Sequence, residues 1–198
     1  MECSVLNKDF IQVYPDFIEK SDIDKLYDFL YSKGPLNQKE IYFLETLNDA
    51  EVETAPNFEI VDYEIKNILL SSQKKVVDQI LNSYFPNLGY DAELEWSRPL
   101  ELIRWNQSAR LSDHTDAPDP TETWIPISAL VYINDDYIGG EIGFPDYDIK
   151  IKPKKNDLIV FCGSMNHNVG FVGTDETEDQ RRFTMPFFFN FYIKPYSE

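Results

Sequence analysis

Trp124-Ile-Pro-Ile-Ser-Ala-Leu-Val-Tyr-Ile-Asn134 is the stretch whose reading decides the fold. It is dense in β-branched and aromatic residues, which predicts a strand. Asp135-Asp-Tyr-Ile-Gly-Gly140 after it reads as a turn, and tight-turn geometry accounts for the paired glycines. The same texture extends outward in both directions. Residues 100–105, 141–144, 148–152, 157–161, 167–172 and 182–193 are short β-rich runs parted by turn residues. Strands at this spacing predict a sandwich, a barrel or a jelly roll.

Upstream of about residue 93 the period changes. Ser21-Asp-Ile-Asp24 resembles a helix-capping box, and Ile23, Leu26, Tyr27 and Leu30 follow at helical spacing until Gly34-Pro35. A short helix is expected over residues 38–47. A longer one is expected over 58–85, with a break at Ser71-Ser72 and an end at Pro86-Asn-Leu-Gly89. The fold class is therefore mainly β with N-terminal helices (α+β). No Gly/Ser linker separates the two parts, so residues 1–198 read as a single domain: 1–92 mostly helical, 93–198 a β core.

Eighteen Lys and Arg against 35 Asp and Glu give a net charge of −17. Nucleic acid and anionic membrane both require a basic footprint, so neither is an expected partner. No apolar run reaches the length of a membrane span, and no secretory signal pattern opens the chain. Cys3 and Cys162 lie far apart and suit a reducing compartment, so the expected address is cytoplasmic. The acid is uneven: residues 111–148 hold seven Asp and two Glu but no Lys or Arg. Such a stretch is either a solvated acidic region or a set of carboxylates that surround a cation or steer a cationic partner.

The chain has two histidines, His114 and His167. In an extended segment, residues two apart share a face, so His114 and Asp116 would converge on one point. A second imidazole from a distant strand would complete a two-His-one-carboxylate triad, a donor set that suits non-haem Fe(II). Alone, His-x-Asp is a weak signal, and a hydrogen-bonded structural histidine is the alternative.

The surrounding order of motifs adds specificity. After His114-Thr-Asp116 come Tyr132-Ile-Asn134, Gly139-Gly-Glu141 leading to Phe144-Pro145, Lys152-Pro-Lys-Lys-Asn-Asp157 before an apolar strand, His167-Asn-Val169, and Arg181-Arg182 opening an aromatic strand. This order resembles the Fe(II)/2-oxoglutarate-dependent dioxygenases, and within them the prolyl 4-hydroxylase-like group. The likeness runs over residues 98–193, and Tyr14-Pro-Asp-Phe17 also looks like the start of that group's domain.

The resemblance implies a double-stranded β-helix (jelly roll) core with helices packed on its major sheet. His114, Asp116 and His167 match the iron ligands and the catalytic centre. Arg182 matches the residue that pairs with the distal carboxylate of 2-oxoglutarate. A guanidinium fits that role because it offers a planar fork and keeps its charge when buried. Arg181 is its rival, expected otherwise as a surface charge beside Glu176, Glu178 and Asp179. Tyr132 matches a cosubstrate-contacting tyrosine, with a sheet-core aromatic as the alternative. Thr184 shares Arg182's face. Trp105 stands where the group usually has Tyr, either lining the substrate pocket or packing.

The implied cofactors are Fe(II), 2-oxoglutarate and O₂, with ascorbate as a further one. The implied activity is hydroxylation of a C–H bond, foremost of a prolyl residue in a peptide or protein. The same chemistry on a free amino acid or small metabolite, and a non-catalytic metal-binding module, are the alternatives. The acidic stretch around His114 favours a neutral or basic substrate. The chain also departs from the group: Asn156 replaces a glycine, residues 173–180 read as an insertion, and the glycines usual before His-x-Asp are missing.

Overall fold

The computed structural model describes residues 4–6, 10–33, 39–43, 57–96, 100–107, 109–116, 125–173 and 180–193. In chain order the elements begin with β1 (Ser4–Leu6), β2 (Ile11–Tyr14), α1 (Lys20–Tyr31), β3 (Lys39–Phe43), β4 (Asn57–Glu59) and α2 (Tyr63–Gln79). A π-helical turn (Ile80–Tyr84) and the short α3 (Phe85–Asn87) lead into β5 (Ala92–Trp96), β6 (Glu101–Trp105), β7 (Leu111–His114) and β8 (Ile125–Tyr132). The last strands are β9 (Ile142–Phe144), β10 (Ile149–Ile151), β11 (Leu158–Cys162), β12 (His167–Val169) and β13 (Arg182–Ile193).

Two sheets result. The larger has the order β1-β2-β11-β8-β13-β6-β3-β4, with β5 pairing the far half of β13; the smaller has the order β10-β9-β12-β7. The central strands β11, β8 and β13 of the large sheet are buried on both faces, and strand alternation sorts their side chains. Ile127, Ala129, Val131, Leu158, Val160, Phe183, Met185, Phe187 and Phe189 point to one side. There they form one cluster with Ile23, Leu26 and Leu30 of α1 and Ile65, Ile68, Leu69 and Val76 of α2. Tyr132, Ile159 and Phe161 point to the other side, against Ile142 and Phe144 of the small sheet. The helices therefore pack on the large sheet, and the molecule is mostly β with few helices.

Three local expectations are corrected. Residues 39–43, expected within a helix over 38–47, form strand β3, which pairs antiparallel with β6. Ile41-Tyr-Phe43 is a β-favouring run, and a sheet edge was open to receive it; residues 38 and 44–47 lie outside the described residues. Ser21 does not cap α1: the N-cap is Glu19 and makes no side-chain cap bond. Ser71-Ser72 does not break α2, because Ser71 Oγ donates back to the Ile68 carbonyl at 3.0 Å and the helix runs on. The N-cap of α2 is Asp62, whose carboxylate accepts from the amides of Glu64 (2.9 Å) and Ile65 (3.2 Å). Among the described residues no helix is long and apolar enough to cross a membrane.

Candidate active site

β7 and β12 are neighbours in the small sheet, and their register sets His114 directly opposite His167. The two imidazole centroids lie 4.2 Å apart. Each ring is held by the carbonyl two residues before it: His114 Nδ1 meets the Ser112 carbonyl at 2.9 Å, and His167 Nδ1 meets the Met165 carbonyl at 2.9 Å. A carbonyl only accepts, so both Nδ1 atoms carry protons and both Nε2 atoms present lone pairs. Phe161 sets its edge against the His167 ring at 4.8 Å.

Asp116 lies just past β7 and fills the space before both rings. Its Oδ1 is 3.6 Å from His114 Nε2, and its Oδ2 is 3.5 Å from His167 Nε2. The three ligand atoms all fall within 4.8 Å of one another. Metal bonds of roughly 2.1 Å would set adjacent ligand atoms about 3 Å apart, so small side-chain movements close the site on an ion. The Asp116 amide donates to the Gly163 carbonyl at 2.8 Å, and Ser128 Oγ donates to Asp116 Oδ2 at 2.6 Å. Gly163 is required there, because a Cβ would lie 2.9 Å from both Ser128 Oγ and a Pro126 ring carbon.

These contacts set the charges. Burial pushes the Asp116 carboxyl up, but the His114 hydrogen bond, the His167 charge and the Ser128 hydroxyl together hold it below its ordinary value. The hydrogen bond to Asp116 raises His114, whereas burial lowers His167. The result is an ionised carboxylate between one imidazole that protonates readily and one that resists it. Two imidazole nitrogens and one carboxylate oxygen could together hold a metal ion, and such a donor set suits non-haem Fe(II).

Arg182 opens β13 and is completely buried. It faces the space between the sheets, as Ser128 and Tyr132 do from the adjacent β8. Its Nη2 donates to Tyr132 Oη at 3.2 Å, and the guanidinium lies 5.0 Å from the Tyr132 ring and 5.2 Å from the Trp105 ring. Its Nε and Nη1 have no hydrogen-bond partner among the described residues. A buried guanidinium with two unused donors is matched by a ligand carboxylate. Thr184, 1% exposed, stands on the same face opposite Tyr132. Tyr132 is both a core residue and a neighbour of Arg182, so its two sequence readings are compatible. Trp105 packs with Ile103, Tyr137 and Val172.

Arg181 takes the opposite face, and it is not a surface charge. It is 7% exposed, stacks over Tyr31 at 4.9 Å and donates from Nη1 to the Tyr31 carbonyl at 3.2 Å. Residues 174–179, where its expected acidic neighbours lie, are outside the described residues.

Sequence reading missed two residues. Ser128 is one, an unremarkable strand serine. Tyr137 is the other: its buried hydroxyl makes no well-formed hydrogen bond among the described residues. Burial drives that phenol well above its ordinary value while the nearby Arg182 charge opposes the shift. Gly140, at φ +63°, packs so closely that a Cβ would lie 2.9 Å from the Tyr137 ring and 3.2 Å from Arg182 Cδ. The 135–140 turn is thus folded directly onto the Arg182 side chain.

No protein-family model matches the chain, and no curated protein matches it. Solved structures do. A viral collagen prolyl hydroxylase from Paramecium bursaria Chlorella virus-1, in complex with 2-oxoglutarate, is 17% identical with a TM-score of 0.62, over 94% of this chain and 98% of that one. A 2-oxoglutarate-Fe(II) oxygenase family oxidoreductase from Burkholderia pseudomallei is 15% identical with a TM-score of 0.61, over 93% and 86%. A prolyl hydroxylase from Trichoplax adhaerens, in complex with a hypoxia inducible factor oxygen degradation domain peptide fragment, is 14% identical with a TM-score of 0.60, over 94% and 85%. The chain has the fold of the 2-oxoglutarate-Fe(II) oxygenases, prolyl hydroxylases among them.

Proposed function

We propose that the protein is an Fe(II)- and 2-oxoglutarate-dependent dioxygenase that hydroxylates a C–H bond, with a prolyl residue in a peptide or protein as the favoured target. The observation that carries this reading is the meeting of His114, Asp116 and His167, far apart in sequence, with all ligand atoms within 4.8 Å. In this reading the two sheets form a double-stranded β-helix within a single domain, and the metal lies near one mouth.

His114, Asp116 and His167 would hold Fe(II), which supplies the activation of O₂ that couples 2-oxoglutarate breakdown to succinate and CO₂ with hydroxylation of the substrate. The chain's own residues do the positioning. Arg182 binds the distal carboxylate of 2-oxoglutarate through Nε and Nη1, with the Tyr132 and Tyr137 hydroxyls and Thr184 around it. Tyr132 and Trp105 wall the guanidinium from water, which strengthens that pairing. Ser128 fixes the Asp116 carboxylate. Ascorbate would serve as a further cofactor by keeping the iron reduced.

The prolyl target rests on the fold shared with the viral and Trichoplax prolyl hydroxylases. The exposed acids Glu93, Glu95 and Asp113 add to the acidity of the chain and favour a neutral or basic substrate. Succinate release from 2-oxoglutarate with Fe(II) tests the chemistry, with Asp116→Ala as the inactive control. Mass spectrometry of proline-containing peptides against free proline and lysine tests the target. A 16 Da gain confined to free amino acids would replace the peptide reading with the metabolite one. No succinate from any substrate would remove the oxygenase reading.

A further inference from the structure

The polar cluster on the helix-facing side of the large sheet plays no part in the site described above, yet it ends on the backbone of Arg182. Asn134 lies just past β8 and is 2% exposed. Its Oδ1 accepts from the Phe183 amide at 2.8 Å, and its Nδ2 donates to the Arg181 carbonyl at 2.8 Å. One side-chain amide thus bonds to the peptide groups on both sides of Arg182. The β8–β13 register, in which Thr184 faces Tyr132 and Met185 faces Val131, would place Asn134 opposite Arg182 if it continued. The last backbone bond on this edge runs from the Ile133 amide to the Phe183 carbonyl at 3.0 Å, and beyond it the Asn134 amide takes over the pairing.

The amide is itself anchored. Nδ2 also donates to Asp136 Oδ1 at 2.6 Å, and Asp136 Oδ2 accepts from the Tyr27 hydroxyl at 2.9 Å. Tyr27 belongs to α1, stacks on Tyr31 at 5.5 Å and packs against Phe183 at 5.7 Å. Burial, then the Asp136 hydrogen bond, raise the Tyr27 phenol to about 12, so its proton is retained as a donor. Two adjacent arginines compete for the inward position at this point of β13. The side that faces inward is decided by backbone register: β6 pairs one edge of β13 there, with Arg182 opposite Trp105, and on the β8 edge the Asn134 amide bonds to the peptide groups on both flanks of Arg182.

We infer that Asn134, backed by Asp136 and Tyr27, is a positioning residue that holds Arg182 toward the 2-oxoglutarate site and keeps Arg181 against α1. The inference rests on the reading of Arg182 as the cosubstrate anchor.

Calorimetric titration of 2-oxoglutarate into the Ni(II)-loaded protein tests it without reliance on turnover. Asn134→Ala is expected to weaken 2-oxoglutarate binding by about 10-fold or more while Ni(II) affinity stays within about 2-fold, in line with the loss of a supporting partner. Tyr27→Phe and Asp136→Asn keep the core shape and should each weaken 2-oxoglutarate by roughly 2- to 5-fold. They carry the test should Asn134→Ala fail to fold. Ile68→Val, a core change in α2, controls for general loss of stability and should leave 2-oxoglutarate binding unmoved. Cosubstrate binding in the three polar variants no weaker than in Ile68→Val would overturn the positioning role. Arg182→Ala separates the two readings. Unchanged binding in that variant removes the anchor itself, whereas weakened binding there with intact Asn134→Ala removes only the inference about Asn134.

Discussion

Ser128→Ala is the most informative single change, because it alters the proposed iron ligand Asp116 without touching it. Ser128 is fully buried on β8, and its hydroxyl donates to Asp116 Oδ2 at 2.6 Å. The exchange removes one oxygen and leaves the backbone pairing of β8 with β13 and β11 intact. A hydrogen bond to a charged group contributes about 1.5–3 kcal/mol. The Asp116 side chain is 12% exposed, so water replaces the lost donor poorly. Two effects follow. The carboxylate loses a contact that stabilises its charged form, so its pKa rises, and it is freer to rotate away from the two Nε2 atoms. Metal affinity should fall by about 10- to 100-fold, the usual consequence of losing a ligand's supporting partner. Calorimetric titration with Ni(II) or Mn(II) at fixed pH reads this directly, with Asp116→Ala as the lower limit. Affinity within about 2-fold of the unaltered protein would show that the backbone alone orients Asp116, and the role given to Ser128 would fall.

Arg182→Ala should raise the 2-oxoglutarate dissociation constant by roughly 100-fold, the loss of a buried charged hydrogen-bonded pair. Arg181→Ala should leave it nearly unchanged yet lower the melting temperature by a few degrees, since Arg181 bonds and stacks on Tyr31; the reverse pattern would exchange their roles. Gly163→Ala forces a methyl group to within 2.9 Å of Ser128 Oγ. It should cost about 1–3 kcal/mol in urea unfolding and weaken metal binding, and an unchanged metal affinity would refute the coupling. Metal binding should also weaken in acid. Asp116 holds the His114 pKa above its ordinary value, so a proton begins to compete for Nε2 near neutrality. Asp116, held low, stays ionised over that range, and His167, lowered by burial, protonates last. A metal affinity flat between about pH 8 and pH 6 would contradict this order.

What the sequence revealed, and what it did not, follows from where each signal resides. β8, β11 and β13 were legible because they are buried on both faces and their apolar runs are nearly unbroken. β7 was not, because Leu-Ser-Asp-His has little core to face and ends on His114, a candidate metal ligand. β3 was read as helix because a five-residue segment cannot establish a period, and its pairing with β6 exists only in three dimensions. The convergence of His114, Asp116 and His167 was legible for the opposite reason: two histidines in the whole chain leave few ways to build such a cluster, and the motif order around them is specific. Ser128 left no local trace, and Asn134 appeared only as the end of the Tyr132-Ile-Asn134 motif, with no role attached to it. A serine in a strand and an asparagine after one are common, and their partners lie 12 and 47 to 49 positions away. Arg181 was expected on the surface because acids precede it in the sequence, but strand alternation sent it to the helix face, where Tyr31 receives it.

The two halves of the site differ in how much of their order depends on a ligand. Both imidazoles are fixed by the carbonyls two residues before them and by direct pairing across the β7–β12 ladder, so these candidate ligands are oriented by the protein itself. Arg182 is different. It is completely buried, and two of its nitrogens lack a partner among the described residues. A buried cation so incompletely paired is destabilising, and the Tyr132 and Trp105 rings offset only part of that through cation–π contact. Among the described residues no carboxylate pairs with Arg182, and a dicarboxylate can supply that counter-charge. Such a ligand binds the native state and not the unfolded one, and so must raise thermal stability as its concentration rises. A monocarboxylate such as pyruvate, which cannot reach both the metal and Arg182, should stabilise far less. Equal stabilisation by the two would mean that Arg182 is not what the distal carboxylate meets.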